Sequence, residues 1–136
     1  MRLETSTPEE TEAAGARLAS RLRPGDVVIV SGELGAGKTT FVRGAARALG
    51  VDGAVTSPTF EIGHLYAGRV EVAHLDLYRL PSLAGEDPAL LDDYLTPDRV
   101  AFVEWPGEAA ATIEHVAARV AIEHLGDDRR RIEVEP

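Results

Sequence analysis

The chain has 136 residues, 44% of them hydrophobic, which is enough to bury one core and too little for two, so a single domain spanning 1–136 is expected. With 14 Lys plus Arg against 23 Asp plus Glu, its formal charge of -9 repels phosphate backbones at long range and argues against direct, stable nucleic-acid binding. Cysteine is absent, which excludes disulfides, thiolate metal sites and cysteine nucleophiles; there is no run of about eighteen apolar residues and no basic-then-apolar leader, so the cytoplasm is the expected location.

In chain order, Thr7-Pro8-Glu9-Glu10 reads as a helix start, with Thr7 as cap, Pro8 at the first position and Glu10 closing a capping box; this helix is expected to run to about Arg21. Pro24-Gly25 breaks the chain, and Asp26 to Ser31 is a β-branched run suited to a strand buried on both faces. A glycine-rich loop follows, then a helix from Thr39 to Leu49 with Gly50 as its C-terminal stop. Thr59 to Tyr66 and Arg69 to Asp76 flank Ala67-Gly68 and alternate in polarity, which predicts a hairpin. Pro81 to Tyr94 reads as an acidic helical connection, and Val100 to Val103, ending in Glu104, as a second core strand. Ala118 to Glu123 and Arg130 to Val134 bracket the turn sequence Gly126-Asp127-Asp128, predicting a C-terminal hairpin. The fold class is α/β, a mixed sheet with helices packed on it.

Gly32-Glu33-Leu34-Gly35-Ala36-Gly37-Lys38-Thr39 matches the phosphate-binding pattern G-x-x-x-x-G-K-[ST] between a predicted strand and a predicted helix. The bare pattern turns up in roughly one random chain in a few hundred, and the flanking strand and helix make it rarer. Of the 14 basic residues 13 are Arg, so the sole lysine, Lys38, occupies the required place. The glycines let the backbone curl with its N–H groups inward as an anion nest. The helix dipole and the Lys38 ammonium, read as an exposed loop lysine, add positive charge, and Thr39 offers a hydroxyl to magnesium, with Thr40 beside it toward the α-phosphate. The ligands implied are ATP and Mg2+, and the fold a three-layer P-loop NTPase-like one, its central sheet mixed and mainly parallel with antiparallel hairpins.

Phosphoryl transfer also needs a carboxylate for the metal shell and a group that orients the attacking oxygen. Asp76 and Glu104 each end an apolar strand; one is expected to hold the metal through water and the other to position the nucleophile. Ser57-Pro58-Thr59-Phe60 falls where switch loops place a hydroxyl near the γ-phosphate, although the same residues also suit an ordinary turn. His64, His115 and His124 read as surface residues, whereas His74, two residues before Asp76, shares its strand face. Trp105 reads as a packing residue or as a contact to nucleotide or partner.

Together, Gly32 to Phe41, Thr56-Ser57-Pro58-Thr59-Phe60, His74-Leu75-Asp76-Leu77-Tyr78-Arg79-Leu80 and Val103-Glu104-Trp105-Pro106 resemble the TsaE (YjeE) family, the bacterial ATPases required for threonylcarbamoyladenosine synthesis on tRNA. The resemblance implies an ATPase subunit that docks onto the threonylcarbamoyl-transferase subunit and its paralogous partner, without performing the transfer. It further implies that Thr39 and Glu104 associate with magnesium, that Asp76 is catalytic and that Thr59 is the switch threonine. Thr11 and Arg130 are the residues matched to adenosine contacts, the run Arg129-Arg130-Arg131 leaving that register ambiguous. Compared with many relatives the chain is shorter, chiefly at its C-terminal end. A P-loop small-molecule kinase is the alternative, with little room for a substrate lid between Thr56 and Arg99. A signalling GTPase is excluded, because the chain has no Asn and no second Lys to build N-K-x-D.

Overall fold

The computed structural model describes residues 1–33, 36–53, 63–77, 94–104, 113 and 115–135. Their elements run β1 (Arg2–Thr5), α1 (Pro8–Ala19), β2 (Val27–Gly32), α2 (Lys38–Ala48), β3 (Gly63–Tyr66), β4 (Glu71–Asp76), β5 (Arg99–Glu104), β6 (Val116–Gly126) and β7 (Arg129–Glu135). The strands form one seven-stranded sheet in the order β1-β7-β6-β2-β5-β4-β3. The centre is parallel, with β6, β2, β5 and β4 side by side, and both flanks are antiparallel, β3 on β4 and the pair β1 and β7 beside β6.

The expected β-branched strand is β2, the middle of the sheet. Val27, Val28, Ile29 and Val30 are all buried, as a strand with parallel neighbours on both sides and covered faces requires. On one face Val28, Val30, Val72, Val100 and Phe102 pack with Leu18 of α1 and Phe41, Val42 and Ala45 of α2. Removing a side chain such as Phe102 from water contributes about 1.5–3 kcal/mol relative to leaving it exposed. On the other face lies a second apolar cluster, Val27, Ala73, Leu75, Leu77, Ala101, Val103 and Ile113, with Tyr94 and Leu95 against it. The helix expected over 81–94 lies, up to Tyr94, outside the described residues.

Helix α1 starts where the sequence places it, with Thr7 accepting from the Glu10 N–H at 3.1 Å. The capping box closes one residue further out than expected: Glu10 accepts from the Ser6 N–H at 2.8 Å. The helix also ends at Ala19, two residues before Arg21. Hairpins form where both were predicted, β3 with β4 and β6 with β7, the stretch from Thr59 to Ile62 of the first lying outside the described residues. The N-terminal strand β1 was not expected. It pairs Leu3 with Ile132 of β7, and the Met1 ammonium donates to the Val134 carbonyl at 2.8 Å.

The two helices meet backbone to backbone. A Cβ added at Gly44 would lie 1.9 Å from the Glu12 carbonyl oxygen, and one added at Gly15 would lie 2.1 Å from that of Phe41. Glu12 seals the crossing by pairing with Arg47 at 3.2 Å and Arg43 at 4.0 Å. Gly44→Ala should therefore destabilise the protein by about 1–3 kcal/mol, the strain of forcing apart packed backbone outweighing the helix propensity gained from Ala. Chemical denaturation of the two proteins checks this, and an unchanged or raised midpoint would contradict the close crossing.

Candidate functional site

Parallel strands point their C-terminal ends the same way, so β2, β4 and β5 deliver Gly32, Asp76 and Glu104 to one edge of the sheet. The loop from β2 to α2 begins there. Gly37 has φ 103°, a left-handed conformation that side chains disfavour, and it caps α2 without any side-chain hydrogen bond. The N–H groups of the first turn, Lys38 to Thr40, have no acceptors within their own helix and point outward at the positive end of its dipole. Ala36 is buried, and its N–H donates to the Glu33 carbonyl at 3.0 Å, closing the loop upon itself. Thr39 and Thr40 are half-buried at the helix start. Leu34 and Gly35 lie outside the described residues.

Lys38 corrects the expectation of an exposed lysine: it is only 4% exposed. Its Nζ donates to the Gly32 carbonyl at 2.7 Å and to that of Glu33 at 2.8 Å. Burial pushes its pKa below the ordinary lysine value, while the negative charges of Glu104 and then Asp76 pull it back up. Two carbonyls and two carboxylates thus hold a cation that water barely reaches.

Register accounts for the carboxylates. Asp76 lies opposite Glu104, Glu104 opposite Val30, and the Leu77 N–H donates to the Glu104 carbonyl at 3.0 Å, pinning the ends of β4 and β5 together. Glu104 is 3% exposed and Asp76 half-buried. His74, fully buried, bonds through Nε2 to Glu104 Oε2, and its Nδ1 has no partner among the described residues. Of the remaining histidines, His115 and His124 are exposed as expected, whereas His64 is half-buried and bonds the Tyr66 hydroxyl at 2.9 Å.

Beside the loop, Pro8, Thr11, Gly37, Thr40, Asp128 and Arg130 line an open polar cleft. Of the three consecutive arginines, Arg130 is the one that lines this cleft. Arg130 lies over Gly37, its Nε 3.2 Å from where a Cβ would stand, and its Nη1 donates to the carbonyls of Asp127 at 2.8 Å and Arg129 at 2.9 Å. Arg129 reaches Glu4 at 3.7 Å and Arg131 reaches Glu123 at 3.5 Å, both away from the loop. Thr11 is buried, and its hydroxyl shares a 2.7 Å hydrogen bond with that of Thr5. Thr5 and Asp128 were not singled out from the sequence; Asp128 reads there as a turn residue, and only the folding back of β7 brings it to the cleft.

Five polar or charged side chains are buried among the described residues, Thr5, Thr11, Lys38, His74 and Glu104, and all five belong to the loop's surroundings. Buried polar groups cost free energy, and their concentration at one place marks a working site. No cluster of three or more His, Asp or Glu that could hold a metal occurs among the described residues. The Thr39 hydroxyl at the start of α2 and the Glu104 carboxylate at the end of β5 are oxygen donors of the kind magnesium takes, one or two from protein with water and phosphate completing the shell. Thr59, Ser57 and Trp105 lie outside the described residues.

Comparison with known proteins identifies the family and the fold. The family described as "Threonylcarbamoyl adenosine biosynthesis protein TsaE" matches residues 5–132. The tRNA threonylcarbamoyladenosine biosynthesis protein TsaE of Bacillus subtilis is 40% identical over 129 residues, covering 94% of this chain and 80% of that protein. Its namesake from Streptomyces coelicolor is 43% identical over 124 residues, 89% of this chain and 76% of the relative, and that of Treponema pallidum 33% over 134 residues, 98% and 99%. The crystal structure of Bacillus subtilis YdiB superposes with a TM-score of 0.74 at 34% identity, covering 97% of this chain and 82% of that one. This chain belongs to the TsaE family.

Proposed function

We propose that this chain, as one domain over 1–136, is the ATP-binding and ATP-hydrolysing subunit of the machinery that makes N6-threonylcarbamoyladenosine next to the anticodon of tRNA. The observation that carries the reading is the buried Lys38 ammonium at the mouth of an uncapped helix, with Glu104 and Asp76 at the neighbouring strand ends. Family membership favours it over a small-molecule kinase. The chain's charge of -9 fits a protein whose partners, the threonylcarbamoyl-transferase subunit and its paralogue, hold the tRNA. The proposed location is the cytoplasm; among the described residues no helix is long and apolar enough to cross a membrane.

In this mechanism the N–H groups from Gly37 to Thr40 bind phosphate oxygens, together with Glu33, Leu34, Gly35 and Ala36 of the same loop, the Ala36 N–H leaving the Glu33 carbonyl to do so. Lys38 exchanges its two carbonyl partners for the β- and γ-phosphates, so a charge already desolvated acts at full strength on the charge that develops there. Thr39 and Glu104 are the residues that would hold magnesium, whose chemistry is to neutralise charge on the β- and γ-oxygens. Asp76, beside Glu104 but more open to solvent, accepts a hydrogen bond from the attacking water and orients it. Arg130 covers the adenosine side of the loop above Thr11, and Thr59 supplies the switch hydroxyl.

Three outcomes test the site. Lys38→Ala should bind ATP about 10–100-fold more weakly in calorimetric titration, the loss of charge-assisted hydrogen bonds to phosphate; wild-type affinity in that variant contradicts the assignment. Asp76→Asn should lower kcat by about 10²–10⁴-fold in a phosphate-release assay with partner proteins present, while ATP affinity holds; an equal loss of affinity would move Asp76 from water orientation to binding. Arg130→Ala should weaken ATP by about tenfold and leave inorganic tripolyphosphate unaffected, whereas Arg129→Ala should change neither. Equal effects of the two substitutions would detach Arg130 from the cleft.

A further inference from the structure

Of the buried polar side chains around the loop, His74 is given no part by the reaction above. It stands fully buried on β4, opposite Phe102 of β5, at a position where an apolar residue would pack without desolvation cost. Its single hydrogen bond goes from Nε2 to Glu104 Oε2, and Nδ1 has no partner among the described residues. With Nδ1 unpartnered among the described residues, the contact to Glu104 is the one that uses a ring proton, Nε2 donating and the carboxylate oxygen accepting. Glu104, 3% exposed, carries a charge that acts on the Lys38 ammonium.

We infer that His74 is a positioning residue: by donating its Nε2–H to Oε2 it fixes the rotation of the Glu104 carboxylate, presenting the other oxygen toward the loop and the start of α2. Carboxylates that ligate metals are held by such outer partners, and removing the partner typically costs 10–100-fold in metal affinity. Without His74 the carboxylate is free to turn onto the Lys38 ammonium, on which its charge acts. The inference rests on the proposed assignment of Glu104 to the magnesium nucleotide.

The test is a titration of a fluorescent ATP analogue, in EDTA and then across magnesium concentrations, against wild type, His74→Leu, His74→Gln, Glu104→Gln and the double variant His74→Leu/Glu104→Gln. Leucine keeps the position apolar and filled, and the glutamine amide can reach where Nε2 stands. Metal-free affinities of wild type, His74→Leu and His74→Gln should agree within about threefold. The magnesium concentration for half-maximal effect should rise about 10–100-fold in His74→Leu, stay near wild type in His74→Gln, and rise no further when His74→Leu is added to Glu104→Gln. A wild-type magnesium response in His74→Leu overturns the inference, as does a parallel loss of metal-free affinity, an additive double variant, or a glutamine variant as impaired as the leucine one. Should His74→Leu fail to fold, long-range ¹H–¹⁵N spectra of the wild type decide: a proton on Nε2 supports the inference, and a ring protonated on Nδ1 alone overturns it. A wild type indifferent to magnesium overturns the magnesium site and the role of His74 together, whereas a responsive wild type matched by His74→Leu overturns the inference alone.

Discussion

A lysine ammonium taken almost out of water, bonded to the carbonyls of Gly32 and Glu33 and faced by Glu104 and Asp76, is the interaction around which this molecule is organised. Burial lowers the pKa of Lys38, and the charges of Glu104 and Asp76 oppose that shift and favour the cation. The loop in turn is held in a shape whose positive pole is open. A left-handed Gly37 starts α2 without a side-chain cap, leaving the helix end to a ligand rather than to the protein.

The sheet makes that arrangement possible. Parallel pairing of β2, β5 and β4 places Val30, Glu104 and Asp76 at matching heights, and the alternation of side chains along β4 puts His74 and Asp76 on the helix-covered face. The fully buried strands behind them give these groups a rigid base. On the far side, β7 folds back so that Arg130 overlies Gly37, and α1 contributes Thr11 and Pro8 to the same cleft. The close crossing of α1 and α2 at Gly15 and Gly44 therefore couples the cleft wall to the helix that carries the lysine.

Much of this was legible in the sequence where the determinants are local. The phosphate loop announces itself through glycine spacing, a β-branched run before it and a helical stretch after it, and Gly126-Asp127-Asp128 marks a turn that the structure contains, with Asp127 at φ 49°. What depends on distant pairing was not legible. Strand β1 is four residues held by β7 at the other end of the chain, with Leu3 as its only apolar residue. Lys38 is buried with its ammonium on the Gly32 and Glu33 carbonyls, a placement that the loop motif does not spell out. The choice of Arg130 among three identical neighbours depends on strand alternation after an irregularity between His124 and Gly126. His74 could be placed on the face of Asp76 by counting along the strand, but its partner Glu104 sits 30 residues away and emerges only from the parallel pairing.

The central claim is that the Lys38 ammonium is a preorganised phosphate ligand rather than a structural clasp for its own loop. A crystal structure with magnesium and a non-hydrolysable ATP analogue tests it most directly. The account predicts Nζ displaced from the carbonyls of Gly32 and Glu33 onto the β- and γ-phosphate oxygens, with the N–H groups of Ala36 to Thr40 turned to the same triphosphate. A triphosphate bound elsewhere, with Nζ still on its two carbonyls, would contradict it.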